Sequence, residues 1–359
     1  MRAAVFTRVG EPLSIQERPD PAPARGQVVI RVSRCGICAS DLEMTRDCVL
    51  TVTPGSVLGH EFSGEVVELG RGVDRLHIGD RVAVLPAASA CGRCAGCRRG
   101  QPKECTDASG HGVRQPGGYA EYTLANAWTS FHLPPSLSFE DGALVEPLAV
   151  ALHGVDMAGI QPGDRVLVLG AGPIGLATVF WVRQRGARPV VVVATSPRRA
   201  GLVDAVGGSG FITRGDDLPA AAEEALAGAP DVVFDCVGRQ GTLADAIAAV
   251  RRRGTIVVLG ACMHPDSFVP VWALLKEVTV RFALTYGLDD YDRTIRTLDS
   301  GAVEPRAMVT DTISLDELPI TLEQLRTPTS HCKVMVDPWT NAATTGERVS
   351  SAALPAVGS

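Results

Sequence analysis

Four cysteines fall within fifteen residues, as Cys91-x2-Cys94-x2-Cys97-x7-Cys105. Thiolates at that spacing suit one tetrahedral zinc ion, and Gly92, Gly96 and Gly100 let the loop wrap tightly around it. Four thiolates leave no open coordination position, so the expected role is structural. An iron–sulfur cluster takes the same ligands, but nothing else in the chain suggests electron transfer. A second set is dispersed. Cys38 offers a thiolate in Gly36-Ile-Cys-Ala-Ser40-Asp41, His60-Glu61 offers an imidazole beside a carboxylate, and Glu146 before Pro147 offers another carboxylate. A catalytic zinc takes three protein ligands and keeps one position open for water or substrate. Each fragment alone carries little weight, since an isolated cysteine is usually core and His-Glu is a common dipeptide.

Their weight comes from a third motif. Val166-Leu-Val-Leu-Gly170-Ala-Gly172-Pro173-Ile174-Gly175 places G-x-G-x-x-G directly after a strand and at the start of a helix, the context of a dinucleotide site. Gly170 permits the tight turn, Gly172 lets the backbone approach a pyrophosphate, and Gly175 lets helix and strand pack closely. The N–H groups of the opening helical turn then face the phosphates. An NAD site carries an acidic residue about twenty positions further on, at the ribose 2′-hydroxyl. Here the second strand ends Val193-Ala194-Thr195-Ser196-Pro197-Arg198-Arg199, with no carboxylate. Thr195 and Ser196 can donate hydrogen bonds to a 2′-phosphate, and Arg198 or Arg199 can pair with its charge. Cations at a helix start oppose the macrodipole, which favours a bound phosphate there. NADP(H) is therefore expected over NAD(H).

These groups must be positioned by two kinds of structure. Residues 1–150 are short strand-like runs between Gly, Pro and Asp turn signals (Gln27–Val32, Gly64–Leu69, Arg81–Leu85, Tyr119–Leu124), which predicts a β-rich domain bearing the cysteine lobe at 91–105. Over 151–286 apolar runs alternate with helix-length segments: Val166–Leu169 then Ile174–Arg185, Val190–Val193 then Arg198–Val206, Val232–Phe234 then Leu243–Arg252, and Ile256–Leu259. That alternation predicts an α/β doubly wound parallel sheet. Residues 287–338 are expected to pack back onto the first domain, and 339–359, small and polar, to form a disordered tail.

Lys+Arg 34 against Asp+Glu 40 gives a net charge of −6 with no basic block, which argues against a nucleic-acid surface. The longest uncharged run, Val166–Val182, is broken by Gly170, Gly172, Pro173 and Gly175, so no membrane span is expected. The first residues, Met1-Arg2-Ala3-Ala4-Val5-Phe6, lack the apolar core of a signal peptide, and a cytoplasmic location is expected.

Taken in order, Gly59-His60-Glu61-x2-Gly64-x5-Gly70-x2-Val73, Gly79-Asp80-Arg81-Val82, the cysteine lobe, Glu146-Pro147-Leu148 and Gly170–Gly175 resemble the zinc-dependent medium-chain alcohol dehydrogenases. The match is to the branch containing polyol (sorbitol-type), butanediol and threonine dehydrogenases, and it runs over roughly residues 1–338. The resemblance implies a GroES-like catalytic domain, a Rossmann domain, and two zinc ions per chain. Cys38 and His60 match ligands of the catalytic zinc. Glu61 and Glu146 match its carboxylates, one a direct ligand and the other holding or exchanging with the metal's water, which sequence leaves open. Asp41 matches the carboxylate that orients the ligating histidine, and Ser40 the hydroxyl that receives the substrate proton. Glu43 stands where the family often has a relay histidine. Lys333 matches a basic residue approaching the pyrophosphate, and Cys236, Val237 and Leu284 match segments lining the nicotinamide. The implied reaction is hydride transfer between a nicotinamide and a secondary alcohol or ketone of the polyol or diol class. Family members are homodimers or homotetramers, and Val271–Leu275 with Val278–Phe282 is a candidate subunit edge. The rival readings are a zinc-free quinone or enone reductase and a non-catalytic binding protein. The first lacks the cysteine lobe and the Cys/His/Glu set; the second predicts a lost ligand or glycine motif, and neither is lost. The loop Thr45–Val57 and the region around Tyr286 are expected to shape the substrate pocket.

Overall fold

The computed structural model describes residues 1–46, 51–87, 90–108, 110–113, 115–215 and 217–340. Six strands, Val166–Leu169, Val190–Ala194, Gly210–Thr213, Val232–Asp235, Thr255–Val258 and Thr279–Phe282, form one all-parallel sheet. Numbered in chain order, they lie 3-2-1-4-5-6 across the sheet, the doubly wound order that opens a crevice between its first and fourth strands. Val166–Leu169 is buried along its whole length, as a strand covered on both faces must be.

The second sheet is mixed. Val309–Ser314, Lys333–Asp337, Gln27–Gly36, Glu61–Leu69, Arg81–Val84 and Ser130–His132 follow one another across it, and Tyr122–Asn126 pairs with Gln27–Arg31. Its last two strands in sequence come from beyond residue 300, so the chain leaves this sheet, builds the parallel one and returns. Trp339, assigned by sequence to the tail, is still packed: its indole Nε1–H donates to the Val32 carbonyl at 2.7 Å, and the Arg31 guanidinium lies over its ring. The rest of the expected tail, 341–359, lies outside the described residues, as does 47–50 of the expected pocket loop.

The helix Phe139–Ala158 runs through the boundary drawn from sequence at 150. Ser138 caps it through a box with Asp141, and Arg306 grips Asp141 at 2.8 and 2.9 Å. Apolar residues almost all round its middle bury it against both sheets' surroundings. A helix with no polar face gives no amphipathic period: sequence expects His153 on a helix leading into the second domain, but not that the helix starts at Phe139. Tyr119–Leu124 was expected as a strand, but the ladder begins at Tyr122. The amides of Gly117, Gly118 and Tyr119 instead bond the carbonyls of Val57, Gly59 and Leu58. Among the described residues no helix is long and apolar enough to cross a membrane.

Candidate active site

The register of the mixed sheet builds the first half of the site. Gly36 pairs with Glu61 across the two central strands, and with Met335 on the returning strand. Three chain segments therefore cross at one sheet end: Cys38 lies two residues beyond Gly36, His60 one residue before Glu61, and Lys333 two before Met335. Gly36 has no side chain for a close reason. A Cβ there would sit 2.1 Å from a Glu61 carboxylate oxygen.

One ligand atom each from Cys38, His60 and Glu61 lies within 4.8 Å of the others. Cys38 caps the short helix Ala39–Met44, and its amide donates to the Asp41 Oδ2 at 3.0 Å. Asp41, fully buried, turns its Oδ1 to the His60 Nδ1 at 3.3 Å, which leaves Nε2 as the nitrogen available to a metal. Burial disfavours the imidazolium, yet the charges of Asp41 and Cys38 outweigh it and hold His60 well above the ordinary histidine range. A thiolate, an imidazole and a carboxylate converging with charge to spare are the donors of a catalytic zinc site, and the set fits that ion.

Glu146 is outside this group. Burial, with the charge of Glu61 added, pushes its carboxyl up to about 7 against the pull of His60, and its Oε1 accepts from the Tyr286 hydroxyl at 2.7 Å. Ser40 and Glu43 lie on Ala39–Met44 at i and i+3, one face of the helix. Glu43 is half exposed and faces the Arg46 guanidinium at 3.7 Å.

The four lobe sulfurs also converge within 4.8 Å. Successive amides point at them: Cys91 to Cys105 Sγ at 3.4 Å, Cys94 to Cys91 Sγ at 3.4 Å, and Cys97 to Cys94 Sγ at 3.5 Å. Backbone N–H groups of Arg93 and Cys94 lower the Cys91 thiol to about 6. All four are free cysteines.

At the parallel sheet, Gly170 has φ +102°, and a Cβ on Gly175 would lie 1.9 Å from the Gly170 carbonyl oxygen. A Cβ on Gly172 would meet nothing within 4 Å, so the backbone there faces open space at the first turn of Pro173–Gln184, with Ile174 in that turn. That is the cradle a pyrophosphate needs. Cys236 and Val237 follow the fourth strand, where the Asp235 carboxylate holds the amides of Val237 and Gly238 at 2.9 and 3.2 Å. Leu284 is exposed, and its carbonyl accepts from Lys103 at 2.8 Å.

Two cationic residues differ from their sequence-based roles. Lys333, expected at the pyrophosphate, is wholly buried with its ammonium on both Glu61 oxygens at 2.7 and 2.5 Å and on the Ile37 carbonyl at 2.9 Å. A buried cation takes the nearest carboxylate before an anion outside. Arg199, expected with Arg198 at a 2′-phosphate, turns inward to the carbonyls of Ala171 and His331. Arg198 stays outward, its Nη1 3.4 Å from the Ser196 hydroxyl, beside exposed Thr195. Tyr119 was missed, and Tyr286, expected to help shape the pocket, holds Glu146. Tyr119 donates to Asp41 at 2.6 Å, and His111 packs edge-on against Phe62. No spacing rule marks an aromatic that reaches a carboxylate from a distant segment.

Comparison with known proteins agrees with this geometry. The profile of the alcohol dehydrogenase GroES-like domain matches residues 24–135, and that of the zinc-binding dehydrogenase domain residues 173–300. Sorbitol dehydrogenase of Halalkalibacterium halodurans is 32% identical over 323 residues, covering 88% of this chain and 94% of its own. (R,R)-butanediol dehydrogenase of Bacillus subtilis is 33% identical, covering 85% and 90%. A zinc-binding dehydrogenase from Sinorhizobium meliloti 1021 bound to NADP superposes with TM-score 0.85 at 32% identity, over 94% of this chain and 99% of that one. A dehydrogenase from Escherichia coli CFT073 complexed with NADH gives TM-score 0.85 at 27% identity, with the same coverage. The chain belongs to the zinc-binding alcohol dehydrogenase family. It is an oxidoreductase with the family's GroES-like and Rossmann folds.

Proposed function

We propose that the protein moves a hydride between NADP(H) and a secondary alcohol or ketone of the polyol or diol class, with one catalytic and one structural zinc per chain. The observation that carries this reading is the convergence of Cys38, His60 and Glu61 within 4.8 Å, backed by Asp41, at the end of the mixed sheet. Cys38, His60 and Glu61 would hold the catalytic ion, and Cys91, Cys94, Cys97 and Cys105 the structural one. When bound, the catalytic zinc supplies Lewis acidity that favours the alkoxide of an alcohol or polarises a ketone. Ser40 receives the substrate proton, and Glu43 on the same helical face leads toward solvent. Lys333 balances the charge of Glu61, and Tyr286 fixes the second carboxylate, Glu146, beside the ligand set. Gly170, Gly172 and Gly175 seat the pyrophosphate so that the nicotinamide reaches the cleft.

The NADP(H) preference rests on Thr195, Ser196 and Arg198 standing outward where an NAD site keeps a carboxylate. The bound NADP of the Sinorhizobium relative supports it, and the NADH of the Escherichia one makes the measurement necessary. Polyols and diols are proposed from the names of the sorbitol and butanediol dehydrogenases. A cytoplasmic homodimer or homotetramer fits the exposed edge strand Thr279–Phe282, flanked by exposed Trp272, Leu274 and Leu284.

Metal content with NADPH and NADH turnover on ketones and diketones tests the reading. Two zinc ions per chain and NADPH-dependent reduction are expected, and Arg198→Ala should cost NADPH about tenfold in kcat/KM while sparing NADH. A wild-type preference for NAD(H) above tenfold would sink the cofactor assignment. One zinc per chain without turnover would sink the catalytic site.

A further inference from the structure

We propose that the Tyr119 hydroxyl is a positioning group for the catalytic zinc ligands, acting on His60 through Asp41. The proposal rests on the catalytic zinc site put forward above.

Tyr119 touches both loops that carry ligands. Its amide donates to the Leu58 carbonyl at 3.0 Å. Its ring covers Gly59, the residue before His60, so closely that a Cβ on Gly59 would lie 2.6 Å from the ring carbon Cδ1. Gly59 is held at φ +90°, a conformation that glycine takes freely. Its hydroxyl then crosses to the other loop and donates to the Asp41 Oδ2 at 2.6 Å, with the Gly36 carbonyl at 3.4 Å as a weaker second acceptor. One side chain therefore sets the spacing between the segment of Cys38 and the segment of His60.

The hydroxyl is the informative part. A phenylalanine would fill the same apolar space, since the ring lies among Cys35, Leu58 and Phe62 in the core of the mixed sheet. A buried hydroxyl without a partner is costly, and this one is spent on a carboxylate that is itself buried. Asp41 Oδ2 takes the Cys38 amide and the Tyr119 hydroxyl, which leaves Oδ1 turned to the His60 Nδ1. Burial and the charge of Asp41 keep the phenol protonated, so it donates throughout the working pH range. Partners of this kind orient a ligating imidazole and fix which nitrogen carries its proton.

The test compares zinc release from the holoenzyme of wild type, Tyr119→Phe, Asp41→Asn and the double variant, using a colorimetric chelator. In wild type, two zinc ions per chain are expected to leave in separable phases. In Tyr119→Phe the catalytic-site phase should quicken by about 10–100-fold, while the lobe phase keeps its rate. In the Asp41→Asn background the same change should add less than about twofold, because the hydroxyl acts through Asp41. An unchanged catalytic phase in Tyr119→Phe overturns the proposal, and so does an equal acceleration in both backgrounds. A Tyr119→Phe chain that fails to fold, read from loss of the lobe zinc as well, assigns the hydroxyl to the core and also overturns it. Wild type holding a single zinc instead removes the catalytic site itself, so the two failures are distinguishable.

Discussion

The two cysteine-bearing sites are built by opposite strategies. In the lobe, one loop of fifteen residues supplies every sulfur, and its own backbone amides point at three of them. In the catalytic set, Cys38 and the adjacent pair His60 and Glu61 come from separate segments, and Glu146, outside their group, from a third. Three of these side chains are steadied by others from elsewhere in the chain: His60 by Asp41 with Tyr119, Glu61 by Lys333, Glu146 by Tyr286. A closed site can be local because it only has to hold an ion. A reactive site must hold its ligands apart, keep a position open and face a second domain, and distant segments meet those demands.

Removing one member from each site separates the two. His60→Ala should cut kcat/KM by about a thousandfold or more, because the zinc we propose it helps hold would supply several kcal/mol of barrier lowering. Zinc should fall to one per chain with the fold and cofactor binding intact. If that variant keeps two zinc ions and most of its activity, the dispersed set is not the catalytic site. Cys97→Ser should act the other way. A structural zinc contributes to folding directly, so thermal unfolding should drop by about 5 °C or more. Turnover of the folded fraction should fall far less than in His60→Ala. A modest loss is expected, because the Gly100 carbonyl accepts from the Leu288 amide and Lys103 holds Leu284, on either side of Tyr286. A Cys97→Ser chain with unchanged melting would mean that the lobe carries no metal.

The same contrast explains what the sequence made legible. Cys91–Cys105 and Gly170–Gly175 are local patterns whose spacing is the chemistry, and the parallel strands at 166, 190, 232 and 255 are continuous apolar runs. The strand Gly210–Thr213 was unread because it lies at the sheet edge, half buried and short, and the first half of the helix Phe139–Ala158 because burial all round erases its period. Cys38 with His60 was readable only through the company of the nucleotide motif and the family resemblance, since strand register brings them together. The side chains that buttress the set were beyond reach. Lys333 illustrates why: the resemblance placed it at the pyrophosphate, but its burial against Glu61 is decided by where the returning strand docks.

The smallest expected effect concerns the strip that joins the two sites. In sequence His111 lies between Cys105 of the lobe and Tyr119 beside the catalytic set; it is fully buried, with Nδ1 on the Pro116 carbonyl at 2.8 Å and, among the described residues, no partner at Nε2. Burial lowers its pKa to about 4; the Pro116 carbonyl opposes the shift, and His60 adds to it. The folded chain therefore resists a proton that the unfolded chain accepts at an ordinary histidine value of about 6.5. Stability from this group is complete above that value and is lost as pH falls through 4, by about 3 kcal/mol over the window. Urea unfolding of wild type and His111→Leu at a series of pH values checks it. The wild-type curve should steepen between pH 6.5 and 4 relative to the variant, whatever offset the substitution causes at pH 8. A zinc ion on His60 would strengthen the same sign, because a nearby cation disfavours imidazolium further. Parallel curves would mean that the segment around His111 opens to water in acid.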